Sequence, residues 1–429
     1  MLAQQDIVVF CDNHSYDLRV SGNGRWIDQK CTPDVLWSIS DFVIEYVDNV
    51  RDEFTVKDIW QSEYAKQTIA DTYSKPGTDD VTAAHEYDKV FSQPLSMLNY
   101  AGVLEDISTT KRHRYRVKNR DVLEYIARND LNALRFIQIY VEKVLRDSNL
   151  FPVFREFFET QDSAHFDAMK RRFVYFYHEF TPIKKDYEPK RIFTKVLNPL
   201  AVKYSKKGTE SGRLSPNIIT RADLMYNRDN FRDLYQDKPK GVSREDWRAA
   251  HPEFDIRPGY FVQMMNASKR TLRDYIVQYR NNTSELTMFI EQHSDRSVPT
   301  QIHHIFPKNE FPAIMHYIEN LIALTPNQHF GFAHPNNNTH AIDLMAQQEL
   351  LVAKTYSIKN NIENPYEDNL YSFNNLLTVL KEGWGDDDVM TISEGDYPEV
   401  IRSIQQHYDN NVGGQYAQMS LWSTEPGIF

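Results

Sequence analysis

The sequence predicts an α+β fold that is mainly helical and contains two small regions with strands. Long segments place apolar residues at intervals of three and four, which is the spacing of a helix face that packs against a core. These segments are residues 121–180, 257–292 and 341–359. Short β-prone runs separated by turn-forming residues lie within residues 54–119 and 301–324. Each strand region should therefore be embedded among helices.

Length and composition indicate a globular protein with more than one domain. The chain has 429 residues, of which 13% are aromatic, a length that suits two or three separate cores. We expect an N-terminal strand and helix region, a helical and basic region, a region with the second strand pair, and an acidic scaffold or dimerisation segment. Their expected bounds are 1–125, 126–255, 256–360 and 361–429.

Two cysteines, Cys11 and Cys31, provide neither a disulfide framework nor a four-cysteine zinc site, so we expect no structural zinc. The chain shows no signal peptide and no apolar run of eighteen residues. These observations predict a cytoplasmic protein without a membrane partner.

The net charge of −11 is unevenly distributed along the chain. Residues 341–429 contain fourteen acidic and four basic side chains, so this segment alone accounts for −10. Between residues 170 and 213, in contrast, basic residues outnumber acidic ones three to one. The local field governs contact with phosphate groups, so the acidic total does not exclude a nucleic-acid ligand.

The N-terminal region begins with alternating apolar and polar residues over 6–28, around turn signals at Asp12-Asn13 and Gly22-Asn23-Gly24. This alternation predicts strands. Pro33 suits the first turn of an amphipathic helix that should follow.

The next region combines helices with a hairpin. Thr55 is placed to cap a short helix, a second helix is predicted over 86–100, and a hairpin returns through 111–117. Pro94 predicts a kink or a break in the second helix. This order resembles a winged helix, and the resemblance implies DNA binding. A winged helix used for protein–protein contact is the alternative that the sequence leaves open.

The resemblance implies that polar residues of the second helix contact base edges and that the basic hairpin tip follows phosphates. The helix residues are Lys89, Gln93, Ser96 and Asn99, and the tip residues are Lys111, Arg112 and Arg114. A basic segment rich in turn formers follows residue 183 and predicts a loop that closes over a DNA backbone. Its candidate contacts are Lys206, Lys207, Arg213, Arg221 and Arg228. A solvated basic loop without base contacts is the alternative.

The candidate reactive stretch, residues 301–334, reads QIHHIFPKNEFPAIMHYIENLIALTPNQHFGFAH. It predicts two short strands and then a helix, with Thr325 as its N-cap and Pro326 at its first position. Its histidine pair, asparagine and helical histidine resemble, in type, order and spacing, the HNH or ββα-metal nuclease finger, including the finger of colicin DNases. The resemblance covers about thirty-five residues.

The resemblance implies a role for each matched residue. His303 and His329 would be metal ligands, His304 the general base, and Asn320 the group that orients the base. A neutral imidazole can accept a proton near pH 7, and a second imidazole can ligate a metal. His334 follows His329 by five residues, where the α-helical position for a second ligand would be Ala333. An α-helix turns a residue at this spacing away from its partner. With two protein ligands, Mg²⁺ is the expected ion, and Mn²⁺ is possible.

The combined features predict a sequence-specific endonuclease for double-stranded DNA, of type II restriction character. One finger cuts one strand, so a double-strand cut implies a homodimer. A restriction enzyme also implies a cognate methyltransferase in the same system. A modification-dependent or homing nuclease remains open, as does a DNA-binding regulator with a structural finger.

Overall fold

A computed structural model describes residues 2–73, 84–110, 112–226, 250, 258–334 and 343–412. The chain divides into two compact units, Met1–Ala267 and Ser268–Phe429. Both are mainly helical with small antiparallel sheets, as the composition and periodicity predict. Among the described residues, no helix has both the length and the apolar character needed to cross a bilayer.

The first unit contains eleven described helices before its last strands. They are α1 (Gln4–Asp12), α2 (Leu18–Ser21), α3 (Pro33–Asn49), α4 (Val56–Trp60), α5 (Glu63–Tyr73), α6 (Ala84–Tyr100), α7 (Arg120–Ala127), α8 (Asp130–Asp147), α9 (Phe151–Thr160), α10 (Ser163–Phe180) and α11 (Tyr187–Tyr204). The strands are β1 (Glu53–Thr55), β2 (Leu104–Asp106), β3 (Arg114–Val117), β4 (Lys207–Glu210) and β5 (Arg213–Ile218). A long helix, α12 (Pro258–Tyr279), begins in this unit and continues past its boundary.

The strands predicted for residues 6–28 are wrong, because the structure forms α1 and α2 there. Ile7 and Cys11 lie four residues apart and are both fully buried, which is the pattern of a helix face. The carboxylate of Asp6 accepts a hydrogen bond from the backbone N–H of Ala3 at 2.7 Å and stabilises the helix start. A short apolar run fits both periodicities, and these local contacts favour the helix.

The sheet of the first unit has the strand order β1-β3-β2 and is antiparallel throughout. Phe54 faces Tyr115 across the first pair, and both rings are buried. Thr55 caps α4 in a reciprocal arrangement with Asp58, as predicted. The break predicted at Pro94 is absent, because α6 continues through it as one helix.

Helices α7 to α10 confirm the helical spacing of residues 121–180. Buried aromatic side chains of these helices contact the N-terminal segment, and their polar atoms form hydrogen bonds with it. The Trp26 indole N–H donates to the Tyr177 hydroxyl at 2.8 Å, and the Tyr140 hydroxyl donates to the Trp26 carbonyl at 2.8 Å. These bonds avoid the cost of burying an unpaired donor.

The second unit surrounds a two-stranded sheet with helices. Its elements are α13 (Glu285–Phe289), β6 (Gln301–His304), β7 (Leu321–Leu324), a π-helix (Gln328–Ala333), α14 (Leu344–Glu363), α15 (Phe373–Trp384) and α16 (Tyr397–Val412). All four residues of β7 are buried, and α14 packs against both α13 and α16. The acidic segment after residue 361 thus contributes two helices to this unit.

Candidate metal centre

The two short strands predicted within residues 301–324 are confirmed as β6 and β7. β6 and β7 form an antiparallel hairpin in which His303 faces Ile322 and His304 faces Leu321. Consecutive residues of a strand point to opposite faces, so the two histidines diverge from one backbone. Both remain half-buried.

The helix after the hairpin begins as the sequence predicts. Helical residues start at Pro326. The Thr325 hydroxyl accepts from the Gln328 backbone N–H at 3.2 Å, and the Gln328 side-chain oxygen accepts from the Thr325 N–H at 3.0 Å. Asp295 fixes this cap, because its carboxylate accepts from the Thr325 hydroxyl at 2.6 Å. That bond is the main reason that the pKa of Asp295 falls to about 2.

The same helix then widens into a π-helix over Gln328–Ala333. The backbone N–H of His334 donates to the carbonyl of His329, five residues earlier, at 3.1 Å. In this register residues five apart are stacked, whereas an α-helix stacks residues four apart. The expectation that His334 turns away from His329 is therefore wrong, because it assumed an α-helix.

Three histidines converge as a result. One ring nitrogen each from His303, His329 and His334 lies within 4.8 Å of the others. The ring centres are 5.3 Å apart for His303 and His329, 4.8 Å for His303 and His334, and 4.9 Å for His329 and His334. The group could hold one metal ion, with each histidine offering one ring nitrogen as a ligand.

The environment of the cluster favours the neutral form of His303 and His329. Burial, together with the neighbouring His334 and His329, lowers the pKa of His303 to about 3. Burial and His334 also lower the pKa of His329. The buried Nδ1 atom of His329 has no hydrogen-bond partner among the described residues. Neutral nitrogens with available lone pairs fit a metal ion, because metal ligation requires the deprotonated ring.

His304 lies outside this cluster and is held by the backbone. Its Nε2 atom lies 3.1 Å from the Met315 carbonyl oxygen. Because a carbonyl only accepts, this contact assigns the proton of the neutral ring to Nε2 and leaves Nδ1 as an acceptor. Burial lowers the pKa of His304 to about 4, an effect that nearby Lys269 increases.

Asn320 is fully buried and closes the loop between the strands. Its side-chain oxygen accepts from the Phe306 N–H at 2.8 Å, and its amide donates to the carbonyls of Phe306 at 3.0 Å and Ile314 at 3.3 Å. The described contacts of its side chain do not include His304. It fixes the loop that carries Met315, whose carbonyl contacts His304.

We predict that Asn320→Ala destabilises the protein by about 1–3 kcal/mol, because it leaves the buried backbone N–H and carbonyl of Phe306 without their side-chain partner. Urea unfolding of the metal-free protein measures this change. Asn309→Ala, at an exposed position of the same loop, is the control and should shift stability by less than about 0.5 kcal/mol. Equal stability of the two variants would contradict the assigned role.

The cavity at the cluster has a volume of about 280 Å³ and includes residues that the sequence reasoning missed. Lys308 follows the first strand, while Asp343 and Gln347 come from the start of α14. The Gln347 amide donates to the Ile305 carbonyl at 2.8 Å, which ties α14 to the histidine strand. The only sequence signal for Asp343 and Gln347 is the helix prediction over 341–359, whereas Lys308 lies within the candidate stretch 301–334.

The predicted DNA contacts of the first unit are in varied environments. Lys89, Arg112 and Arg213 are exposed, whereas Ser96, Lys206 and Lys207 are half-buried. Four others are engaged within the protein: Gln93 accepts from the Lys30 N–H, Asn99 accepts from the Asp106 N–H, Arg114 pairs with Glu53, and Arg221 pairs with Asp130. Lys111 and Arg228 lie outside the described residues.

The internal contacts of Gln93 and Asn99 reduce what the α6 face can offer to bases. The side-chain oxygen of Gln93 accepts a hydrogen bond from the Lys30 N–H at 2.8 Å. This bond would have to break before Gln93 could contact a base. Lys89 is the exposed member of the predicted helix set.

Comparison with known proteins assigns no family. The chain matches no protein-family model, no curated protein and no solved structure.

Proposed function

We propose that the protein is a metal-dependent endonuclease that cleaves double-stranded DNA at specific sites. The observation that carries the proposal is the convergence of three histidines beside a fourth histidine held by a backbone carbonyl. A purely structural metal site needs no additional base. The resemblance of residues 301–334 to the HNH finger supports the same reaction class.

The geometry supports a role for each histidine. His303, His329 and His334 would hold one divalent ion, which would stabilise the charge that develops on the scissile phosphate and the leaving oxygen. His304 would take a proton from the attacking water at Nδ1, while the Met315 carbonyl holds its other nitrogen. The water oxygen bonds to phosphorus as the bond to the 3′ oxygen breaks, which leaves a 5′-phosphate and a 3′-hydroxyl.

Three imidazole ligands change the expected ion. Imidazole nitrogen suits Zn²⁺, Ni²⁺ and related transition metals, whereas Mg²⁺ prefers oxygen ligands. Three protein ligands with an open fourth position are typical of catalytic zinc. We therefore rank Zn²⁺ or another transition ion above the Mg²⁺ that two histidines implied, with Mn²⁺ between them.

The first unit supplies the proposed recognition of DNA. Its helix order and its β1-β3-β2 sheet support the resemblance to a winged helix. Restriction character would require a homodimer for a double-strand cut and a cognate methyltransferase for protection of host DNA.

We predict that His304→Ala lowers the cleavage rate by about 10²–10⁴-fold, because it removes the base and leaves the three ligands in place. Methylated and unmethylated plasmid are digested after metal removal with EDTA and addition of Mg²⁺, Mn²⁺ or Zn²⁺. EDTA should abolish cleavage. DNA binding and metal binding should survive in His304→Ala, whereas His303→Ala should lose metal.

His165→Ala, at a surface histidine of the first unit, is the matched control and should cleave like the wild type. Cleavage by His304→Ala at the wild-type rate would refute the assignment of the base. A wild-type protein that binds DNA but never cleaves it would favour a DNA-binding regulator with a structural finger.

A further inference from the structure

The outer surface of the α10 and α11 pair is basic and carries exposed aromatic rings. The FVYFYHEF run buries Phe173, Phe176 and Tyr177, but leaves Tyr175 57% exposed. Tyr187, at the start of α11, is 62% exposed. We call this the α10–α11 surface and define it by six residues. They are Arg171, Arg172, Tyr175, Lys185, Tyr187 and Arg191, all exposed.

Each exposed tyrosine has an arginine against its ring. The Arg172 guanidinium carbon lies 5.7 Å from the centre of the Tyr175 ring, and that of Arg191 lies 4.8 Å from the centre of the Tyr187 ring. Pairs of planar cationic and aromatic groups at the surface are the groups that stack on nucleobases.

The two tyrosine–arginine pairs lie on neighbouring helices. α10 and α11 pack against each other. The Nε2 atom of His178, one turn after Tyr175, lies 3.3 Å from the Asp186 carboxylate. The same carboxylate accepts from the Lys190 ammonium at 2.7 Å. These contacts join the end of α10 to the start of α11, next to Tyr187.

The charge of the surface opposes that of the whole chain. Residues 171–191 contain six basic and three acidic side chains, whereas the chain carries −11. Two of the three acids have cationic partners, since Asp186 pairs with Lys190 and Glu188 pairs with Arg25. Phosphate groups would therefore meet a locally positive field, with Arg171, Arg172 and Lys185 at its exposed positions.

We propose that the α10–α11 surface binds the DNA backbone and that its tyrosines stack on unpaired bases. This inference rests on the proposed function and adds a second DNA contact, separate from the predicted winged helix. Charge alone would also suit an acidic protein. The two exposed aromatic rings favour nucleic acid, because acidic peptides offer no planar bases for them.

Fluorescence anisotropy in EDTA, which prevents metal-dependent cleavage, tests the proposal. The probes are a labelled 30-bp duplex and a 30-nucleotide single strand, each titrated between 50 and 300 mM KCl. The logarithm of the DNA association constant falls as the logarithm of the salt concentration rises. In the variant Arg171→Gln/Arg172→Gln/Lys185→Gln, the magnitude of this slope should decrease by about 2–3, roughly one for each lost phosphate contact. Tyr175→Leu/Tyr187→Leu should weaken single-strand binding and leave the salt slope unchanged.

The matched control removes three exposed charges elsewhere, as Arg155→Gln/Arg273→Gln/Arg402→Gln, and should keep the wild-type slope. A wild-type slope in the first triple variant would overturn the proposal. Loss of labelled polyglutamate binding without loss of DNA binding would overturn it in favour of an acidic protein partner.

The outcomes separate this inference from the proposed function. A wild-type protein that cleaves DNA, together with an unchanged slope in the triple variant, would refute only the inference. A wild-type protein that never cleaves, together with a lowered slope in the triple variant, would refute only the nuclease. Circular dichroism of each variant verifies that the surface substitutions leave the fold intact.

Discussion

Replacing Lys354 with methionine should lower the free energy of unfolding by about 3–5 kcal/mol, the cost of leaving a buried carboxylate without its partner. The Lys354 ammonium lies 2.9 Å from a carboxylate oxygen of Glu285, and both side chains have no exposed surface. The Tyr371 hydroxyl contributes to the same group, at 2.9 Å from Lys354 and 3.2 Å from Glu285. Burial lowers the pKa of Lys354, and Glu285 opposes that change.

This ion pair connects α13 and α14 to the metal-site hairpin. The second carboxylate oxygen of Glu285 accepts from the Ala323 N–H at 2.8 Å, and Ala323 faces Ile302 in the strand that carries the histidine pair. The sequence predicts no structural zinc for residues 301–334. In the structure, the buried pair of Glu285 and Lys354 holds β7 through the Ala323 N–H. We therefore expect Lys354→Met to weaken metal binding as well as stability.

Urea unfolding of the metal-free protein measures the stability change. Lys381→Met is the control, because Lys381 also pairs with a carboxylate, Asp387, at 2.7 Å but in an exposed position. That variant should lose much less stability than Lys354→Met, because solvent screens an exposed ion pair. The double variant Lys354→Met/Glu285→Gln should regain most of the lost stability, because neither charge of the pair remains and the amide oxygen can still accept from the Ala323 N–H. A Lys354→Met protein as stable as Lys381→Met would contradict the argument.

Local signals explain what the sequence could predict about the fold and the site. The hairpin and the capped helix of residues 301–334 follow from the β-prone runs and from Thr325-Pro326, whose effects act within a few residues. The prediction of N-terminal strands was wrong because a short apolar run fits a helix or a strand, and the bond of Asp6 at the helix start and packing against the core both favour the helix. Ile7 and Cys11 of α1 and Leu18 of α2 are buried in the core of the first unit.

Other features depend on contacts that spacing does not encode. Glu285 and Lys354 are 69 residues apart, and neither has a local pattern that marks it as buried. Asn320 was matched to an orienting role, but its loop contacts depend on the positions of Phe306 and Ile314. The place of His334 depends on a helix type that periodicity arguments do not consider, because they assume 3.6 residues per turn.

His334→Ala should weaken the binding of Zn²⁺ by about 100-fold or more. The loss of an outer-shell partner already costs about 10–100-fold, and a direct ligand should cost at least as much. Isothermal titration of the metal-free protein with Zn²⁺ measures the affinity. His303→Ala and His329→Ala should show losses of the same size, because each supplies one of three equivalent nitrogens. His316→Ala, at a half-buried histidine outside the cluster, should bind like the wild type.

The π-helix itself supplies the sharper version of this test. A π-helical turn contains one residue more than the α-helical turn that it replaces. Gly331 lies inside the turn, is exposed, and has no atom within 4 Å of the position that a Cβ would occupy. Deleting it places the two histidines four residues apart, where an ordinary α-helix stacks them. The deletion variant should therefore keep Zn²⁺ affinity within about tenfold of the wild type.

Gly331→Ala, which keeps the length of the turn, is the control and should also bind. Substituting His334 by alanine in the deletion variant should abolish the retained affinity, because the shortened helix then offers one histidine where it had two. If the deletion alone removed metal binding while His334→Ala retained it, His334 would not be a ligand. The cluster would then reduce to the pair His303 and His329, and the preference for Mg²⁺ over Zn²⁺ would return, since two nitrogens and several water oxygens suit the harder ion.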